Sequence, residues 1–359
     1  MSENVVPKQT FHLGRTGEAI ARNWALFFLL ILIGIFSITG SGFFSLVNFQ
    51  NTLHLSTTFL ILAAAETFVI ISGGIDLSVG FVMGLCSVSS AKVMQLMHAS
   101  GTPVGTTIGT GILVALVIAL VPGLVNGILI ARYNVPPFIA TLGMWGIANG
   151  ITLHISEGFP VGFLPHLLTR IGNGFLFFIT PAGDVSMFVR PQDLEREQIR
   201  ELTRLIPNST VFVFLLLLLL WYLLHHTRFG QHTYAIGGSM DAATRAGIPV
   251  KRHLIVIYTL SAFLAGIAGI FNVFQTGIGN FTPFSAMYEL FAVAAVVIGG
   301  ASLMGGKGRI IGSIVGVLII GVLENGLATS GVEPFYRFIA VGLILILAVI
   351  IDELFPDLF

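Results

Sequence analysis

Apolar runs long enough to cross a bilayer follow one another along almost the whole chain, separated by short polar breaks. They fall near 24–41, 54–72, 77–97, 106–131, 138–155, 209–226, 253–275, 286–300, 310–330 and 335–351. A bilayer core takes about 20 mostly apolar residues per helix. Ten transmembrane helices are therefore predicted, the fifth and eighth being the shortest. The expected fold class is all-α, a polytopic integral membrane protein whose helices are interrupted by glycine-rich segments. A polar segment, 1–23, precedes the first run, and a short tail, 353–359, follows the last. The run at 24–41 is too long for a signal-peptide core and lacks a good small-residue cleavage site, so it reads as a retained first span.

Composition sharpens this reading. Of the 359 residues, 55% are hydrophobic and 9% charged, where a soluble domain carries roughly 25% charged residues. A water-soluble fold of this size would have no surface to present. The formal net charge is zero, so nothing biases the chain toward nucleic acid. Cys86 is the one cysteine, which excludes an internal disulfide and a thiolate metal site.

Charge sets the orientation. With the N-terminus in the cytoplasm, the inner segments hold Lys8, Arg15, Arg22, Arg132, Arg228, Arg245, Lys251, Arg252, Lys307 and Arg309. The short outer segments and ends hold Lys92 and Arg337. Cytoplasmic loops carry the Lys/Arg excess, so both termini are expected inside. Trp24, Trp221 and Tyr222 then fall near the inner interface, where amphipathic rings prefer to lie. The external loop is 156–208. Leu194, Leu202, Leu205 and Ile206 recur there near helical spacing among charges, which predicts an amphipathic surface helix, either a docking face for an external partner or a solvated insert.

The stretch ISGGIDLSVG, 71–80, breaks the apolar pattern. Gly73-Gly74 ahead of a carboxylate favours an interrupted helix. Asp76 and Ser78 either cap a helix restarting at Leu77 or line a solute path. A weaker copy, GGASLMGG at 299–306, shares the frame Gly-Gly, Leu three residues on, Gly three further, and suggests related halves. Glu66, Glu289 and Glu324 are further carboxylates inside apolar runs, joined by Asn126, Thr141, Asn149, Asn272, Gln275 and Asn325. Each alone reads as interhelical glue; together they point to a hydrophilic conduit.

The cytoplasmic loop 227–252 contains YAIGGSMDAATRAGIPVKR. Gly237-Gly238 is expected to turn, and Ser239 to cap a short helix from Met240 to Ala246. Asp241 suits its positive end and Arg245 lies one turn on; Gly247 and Pro249 end it. Ala242, Ala243 and Ala246 leave a face small enough to enter a partner's groove.

The segments GGIDLSVG, GLVNGILIARYNVPPFIATLG, YAIGGSMDAATRAGIPVKR and YELFAVAAVVIGGASLMGGKGRIIGSIVGVLIIGVLENGL resemble, in order and spacing over about residues 54–352, the permease subunits of bacterial ATP-binding cassette (ABC) importers for ribose, xylose, galactose and similar monosaccharides. The resemblance implies a transmembrane permease domain over 24–352, in the bacterial inner membrane. It implies a second permease chain, identical or paralogous, an ABC ATPase pair binding ATP and Mg, and a substrate-binding protein. It also implies that 237–247 is the coupling helix docked on the ATPase, with Gly237, Gly238, Ser239, Asp241, Ala242, Ala243, Arg245 and Gly247 at the contact. Glycines 73–74 and 299–300, with Glu66, Asp76, Ser78, Asn126, Glu289 and Asn325, are the expected pathway or gate. Phe291 stands where the family usually has an acidic residue.

No ATPase is encoded here. ASLMGGKGR lacks the first glycine and the hydroxyl of a phosphate loop, having Ala301 and Gly308 in those places. No cofactor or metal is expected on this chain, and no hydrolase motif occurs. Two rival readings stay open: an ion-coupled secondary transporter using Glu66, Asp76, Glu289 and Glu324, and a membrane scaffold. An ABC permease for a nucleoside or furanosyl signal compound is the nearer alternative.

Overall fold

A computed structural model describes residues 24–188, 191, 202–280 and 287–354. The N-terminal segment 1–23, most of 189–201 and the end of the tail lie outside the described residues.

Helix α1 is Trp24–Thr39, α2 Leu46–Ile71, α3 Val79–Ala99, α4 Val104–Tyr133 and α5 Pro137–Ser156. Outside them come the short α6, Leu167–Gly172, and strands β1, Phe175–Ile179, β2, Val185–Met187, and β3, Thr203–Pro207. Helix α7 is Asn208–His226, α8 Arg228–Gly238, α9 Met240–Arg245 and α10 Val250–Thr276. The chain closes with α11 Tyr288–Ile298, α12 Ile310–Thr329 and α13 Pro334–Leu354.

Every predicted run contains a helix, but the eighth is corrected from a full span. Among the described residues seven helices are long and apolar enough to cross: α2, α3, α4, α5, α7, α10 and α12. Helices α1 and α11 are shorter apolar helices. At 1.5 Å per residue, the 11 residues of α11 cover roughly 16 Å, about half of a ~30 Å core. It stops at Gly299, where the chain breaks before α12.

Helices α2 and α3 have 78% of their apolar windows buried, against 28% for α5 and α7. The first pair is central and the second peripheral. Small residues let backbones meet in the centre. A Cβ on Gly127 of α4 would stand 2.7 Å from Ile255 Cα of α10, and one on Gly269 of α10 would stand 2.5 Å from the Met83 carbonyl oxygen of α3. Cys86 lies buried in this core.

The outer loop is a second correction. The strands form a small antiparallel sheet ordered β2-β1-β3, with Phe177 opposite Leu205 and Ile179 opposite Thr203. The segment 203–207 is thus a strand and not the end of a surface helix; the charged stretch before it lies outside the described residues. Along β3, Arg204 and Ile206 are exposed while Leu205 is half-buried and Pro207 buried, a two-residue period and not a helical one. The sheet is stitched to the bundle where the Gln50 side-chain amide donates to the Arg204 carbonyl at 2.5 Å.

Candidate functional site

The break after α2 is built by the end of the helix itself. Ser72 N–H donates to Phe68, Gly73 to Ile70 and Gly74 to Val69. Gly73 takes φ +86°, which a side chain would strain. The second break repeats this pattern: Gly299 donates to Ala295, Gly300 to Val297 and Ala301 to Val296, with Gly300 at φ +87°. Structurally Gly73 therefore corresponds to Gly300, one residue off the frame read from the glycine pairs.

Asp76 is the hub of the first break. Its Oδ1 accepts the Ser78 backbone N–H at 3.0 Å and the Ser78 hydroxyl at 2.5 Å. Its Oδ2 accepts the Ser261 hydroxyl of α10 at 2.9 Å. Asn126 of α4 donates to Ser78 Oγ at 3.1 Å, and Thr141 of α5 to the Ile75 carbonyl at 3.2 Å. The Asp76 N–H points to Glu66 Oε2 of α2 at 3.4 Å. Glu289, in the first turn of α11, lies against Gly80, where a Cβ would overlap its carboxylate. Side chains of α2 and α5 thereby meet the unwound backbone directly, and those of α4 and α10 hold Ser78 and Asp76, as the bilayer interior demands.

Two expectations change here. Helix α3 starts at Val79, not Leu77, and Ser78 makes no side-chain cap bond; it relays between Asp76 and Asn126 instead. The cluster is also sealed: Asp76, Ser78 and Asn126 are 1% exposed and Glu66 is fully buried. As placed, these residues brace the break and do not line an open conduit. Glu66 Oε1, Asn126 Oδ1 and Glu289 Oε2 have no hydrogen-bond partner. No Lys or Arg is among the buried side chains described. Among the described residues no group of His, Cys, Asp and Glu could hold a metal ion.

Directly below, three backbones converge. Gly306 N–H donates to the Ile71 carbonyl at 2.8 Å. A Cβ on Gly237 would overlap that same carbonyl oxygen, and one on Gly306 would stand 3.0 Å from the backbone N of Gly238. A Cβ on Gly305 would stand 3.0 Å from the backbone N of Gly73. The Tyr234 hydroxyl donates to the Gly308 carbonyl at 2.7 Å. Burial pushes the Tyr234 phenol above its ordinary pKa, so it keeps this proton, with Arg309 nearby acting in the opposite sense. The end of α8, the break after α2 and the 301–308 loop thus form one junction.

Gly237 and Gly238 do not turn; they are the last residues of α8. The bend falls at Ser239, which is extended (φ −164°, ψ 109°) and whose Oγ accepts the Ala242 N–H at 3.2 Å, capping α9 as expected. Gly247, at φ +81°, ends it, with Ile248 N–H returning to the Ala243 carbonyl at 3.1 Å. Asp241, Ala242, Arg245 and Ala246 are exposed. Ala243 is buried at 3%, so it anchors α9 to the bundle and does not belong to the free face.

Asn325 stands apart from these groups. It lies near the C-terminal end of α12 and donates to Asn48 Oδ1 of α2 at 3.0 Å, and also meets Thr52. The sequence reading did not single out Tyr234, Ser261 or Gly305. Tyr234 and Gly305 sit inside the quoted motifs, which is the signal that would have found them. Ser261 looks like any other residue of an apolar run.

Residues 48–350 match the family described as branched-chain amino acid transport system / permease component. The chain is 39% identical over 326 residues to the ribose import permease protein of Bacillus subtilis, covering 90% of each chain. It is 36% identical to that of Escherichia coli K12, covering 92% of each. It is 35% identical to the galactose/methyl galactoside import permease protein of Haemophilus influenzae, covering 94% of this chain and 95% of the other. No solved structure matches.

Proposed function

The chain belongs to the branched-chain amino acid transport system / permease component family, and from that premise we propose that it forms the membrane path of an ABC importer for a monosaccharide of the ribose, xylose or galactose kind. It is a multi-pass transporter subunit, not an enzyme. In this reading it lies in a bacterial inner membrane with both termini cytoplasmic. It pairs with a second permease chain, takes solute from a substrate-binding protein, and is driven by a separate ABC ATPase that holds the ATP and Mg.

The observation that carries the reading is α9. A capped six-residue helix stands exposed at the inner end, bent off α8 at Ser239. Its root, Gly237, presses on the carbonyl that closes the α2 break. A push on α9 has a backbone route to both glycine breaks, through Ile71 and the 301–308 loop. That is what an ATPase needs in order to move a gate it does not touch.

Substitution tests this. Asp241→Lys alters the exposed first turn, and Gly247→Pro demands φ near −65° where the chain has +81°. Both variants are expected to reach the membrane and to lose at least tenfold in uptake per ATP hydrolysed by the reconstituted complex. Unchanged coupling in both would remove the docking role from α9.

The buried carboxylates Glu66, Asp76 and Glu289 favour one other reading, an ion-coupled carrier. Their enclosure counts against it, because an ion site must open to water on each side in turn.

A further inference from the structure

A groove separates α2 from α12 on the outer half of the bundle. Its cavity of about 140 Å³ is lined by Thr52, Ser56, Phe59, Glu324 and Asn325, with Gly321 in its floor. Space of that size far exceeds what one water needs, roughly 10–15 Å³. Depth follows from helix rise: Asn325 is four residues from the outer end of α12, and Ser56 ten residues from the outer end of α2. At 1.5 Å per residue, the groove runs from about 6 Å to about 15 Å below the helix ends, reaching mid-membrane.

Polar groups interrupt an otherwise apolar lining of Leu55, Phe59, Ile320 and Ala328. Ser56 is 2% exposed, and its hydroxyl is buried without a hydrogen-bond partner. A Cβ on Gly321 would stand 2.7 Å from that hydroxyl, so the glycine packs directly over the Ser56 oxygen. The Asn325 amide of α12 meets the Thr52 hydroxyl of α2 across the groove. Phe59, also on α2, lines the cavity and packs on Tyr288 of α11, with ring centroids 4.9 Å apart. A carboxylate, an amide and a hydroxyl at this depth are not left to hydrocarbon. The open side must be walled by protein and the space wetted.

We propose that this groove is the outer half of the solute path, and that it holds a neutral polyhydroxylated molecule by its hydroxyls at Thr52, Glu324 and Asn325 and by a C–H face on Phe59. The inference rests on the importer reading and names where the sugar is held. The second permease chain of that assembly supplies the missing wall. The few polar groups and the single ring hold solute weakly enough to release it, as a path requires. Nothing here is cationic, so the site is built for an uncharged solute and not for an anion.

The buried Cys86 leaves the chain without an exposed thiol among the described residues, so single cysteines can be read directly. The test uses vesicles holding the permease with its ATPase and binding protein. A charged, membrane-impermeant thiol reagent is added on the binding-protein side. Ala328→Cys at the groove rim and Asn325→Cys on its wall are expected to react at least tenfold faster than Leu113→Cys, on the exposed apolar face of α4. Thr52→Ala and Asn325→Ala are expected to shift the ratio of ribose to galactose uptake at least threefold, which a general loss of fold would not do. Labelling of Ala328→Cys at the Leu113→Cys rate, or an unchanged sugar ratio in both alanine variants, overturns the inference and leaves the importer reading standing. No uptake of either sugar by the unmodified complex overturns the importer reading, and this inference with it.

Discussion

Gly237 and Gly238 are adjacent in the chain and sit in opposite surroundings. A Cβ on Gly238 meets nothing within 4 Å, while one on Gly237 runs into the backbone of Ile71 and Gly306. Backbone cannot swing aside as a flexible side chain can, so overpacking there costs about 1–3 kcal/mol. Gly237→Ala is expected to lower the thermal midpoint of the purified permease by several degrees. Gly238→Ala is expected to leave it within about 0.5 kcal/mol of the unsubstituted protein. Equal midpoints would dissolve the junction. Asp76 is read the same way. Its carboxylate accepts three hydrogen bonds in a sealed space, and each donor left buried and unpaired costs about 1–3 kcal/mol. Asp76→Ala is therefore expected to cut the amount of folded protein in the membrane severalfold; normal levels with lost transport would return Asp76 to the path. The carboxylate was legible in the sequence as an anomaly. Its partner Ser261 was not, because it lies 185 residues away and nothing local marks it as a neighbour.

At the level of elements, capping chemistry was the most legible feature. Ser239 and Gly247 bound α9 because a hydroxyl at one end and a positive φ at the other are local requirements. Ser239→Ala is expected to cost about 1 kcal/mol of a six-residue helix that has little else to hold it. Limited proteolysis from the inner face should then cut within 239–247 several times faster, and Ser239→Asp should restore resistance. An unchanged cleavage rate would mean that packing of Ala243 alone holds α9. Two elements misled a reading based on pattern. Helix α11 looked like a span because apolar residues continue past its end into Gly299, and hydropathy cannot see where a helix stops. Strand β3 looked helical because four apolar residues among charges satisfy several periods, and pairing with β1 decides between them. The glycine repeat was visible, but its frame was set by hydrogen bonds at the helix ends, which pair Gly73 with Gly300.

For the whole molecule, hydropathy and local capping residues carried most of the architecture: membrane class, order of helices, and a short helix between the sixth and seventh apolar runs. What they could not carry is which polar residues meet. The set assembled from the sequence divides into a sealed brace at Asp76, an outer groove at Asn325 and a glycine junction between the brace and α9. That division has mechanical content. The brace is buried, the junction is close-packed backbone, and the groove is open. In the proposed importer, force entering at α9 would reach the junction and the brace before the groove. In that reading the polypeptide holds the transmission and the path, and the motor is a separate chain. Vesicle uptake of radiolabelled ribose tests that separation most directly, comparing this chain alone under an imposed proton or sodium gradient with the chain reconstituted alongside its ATPase, binding protein and ATP. The account predicts no uptake in the first case and ATP-dependent uptake in the second. Uptake by the chain alone on an ion gradient would contradict it.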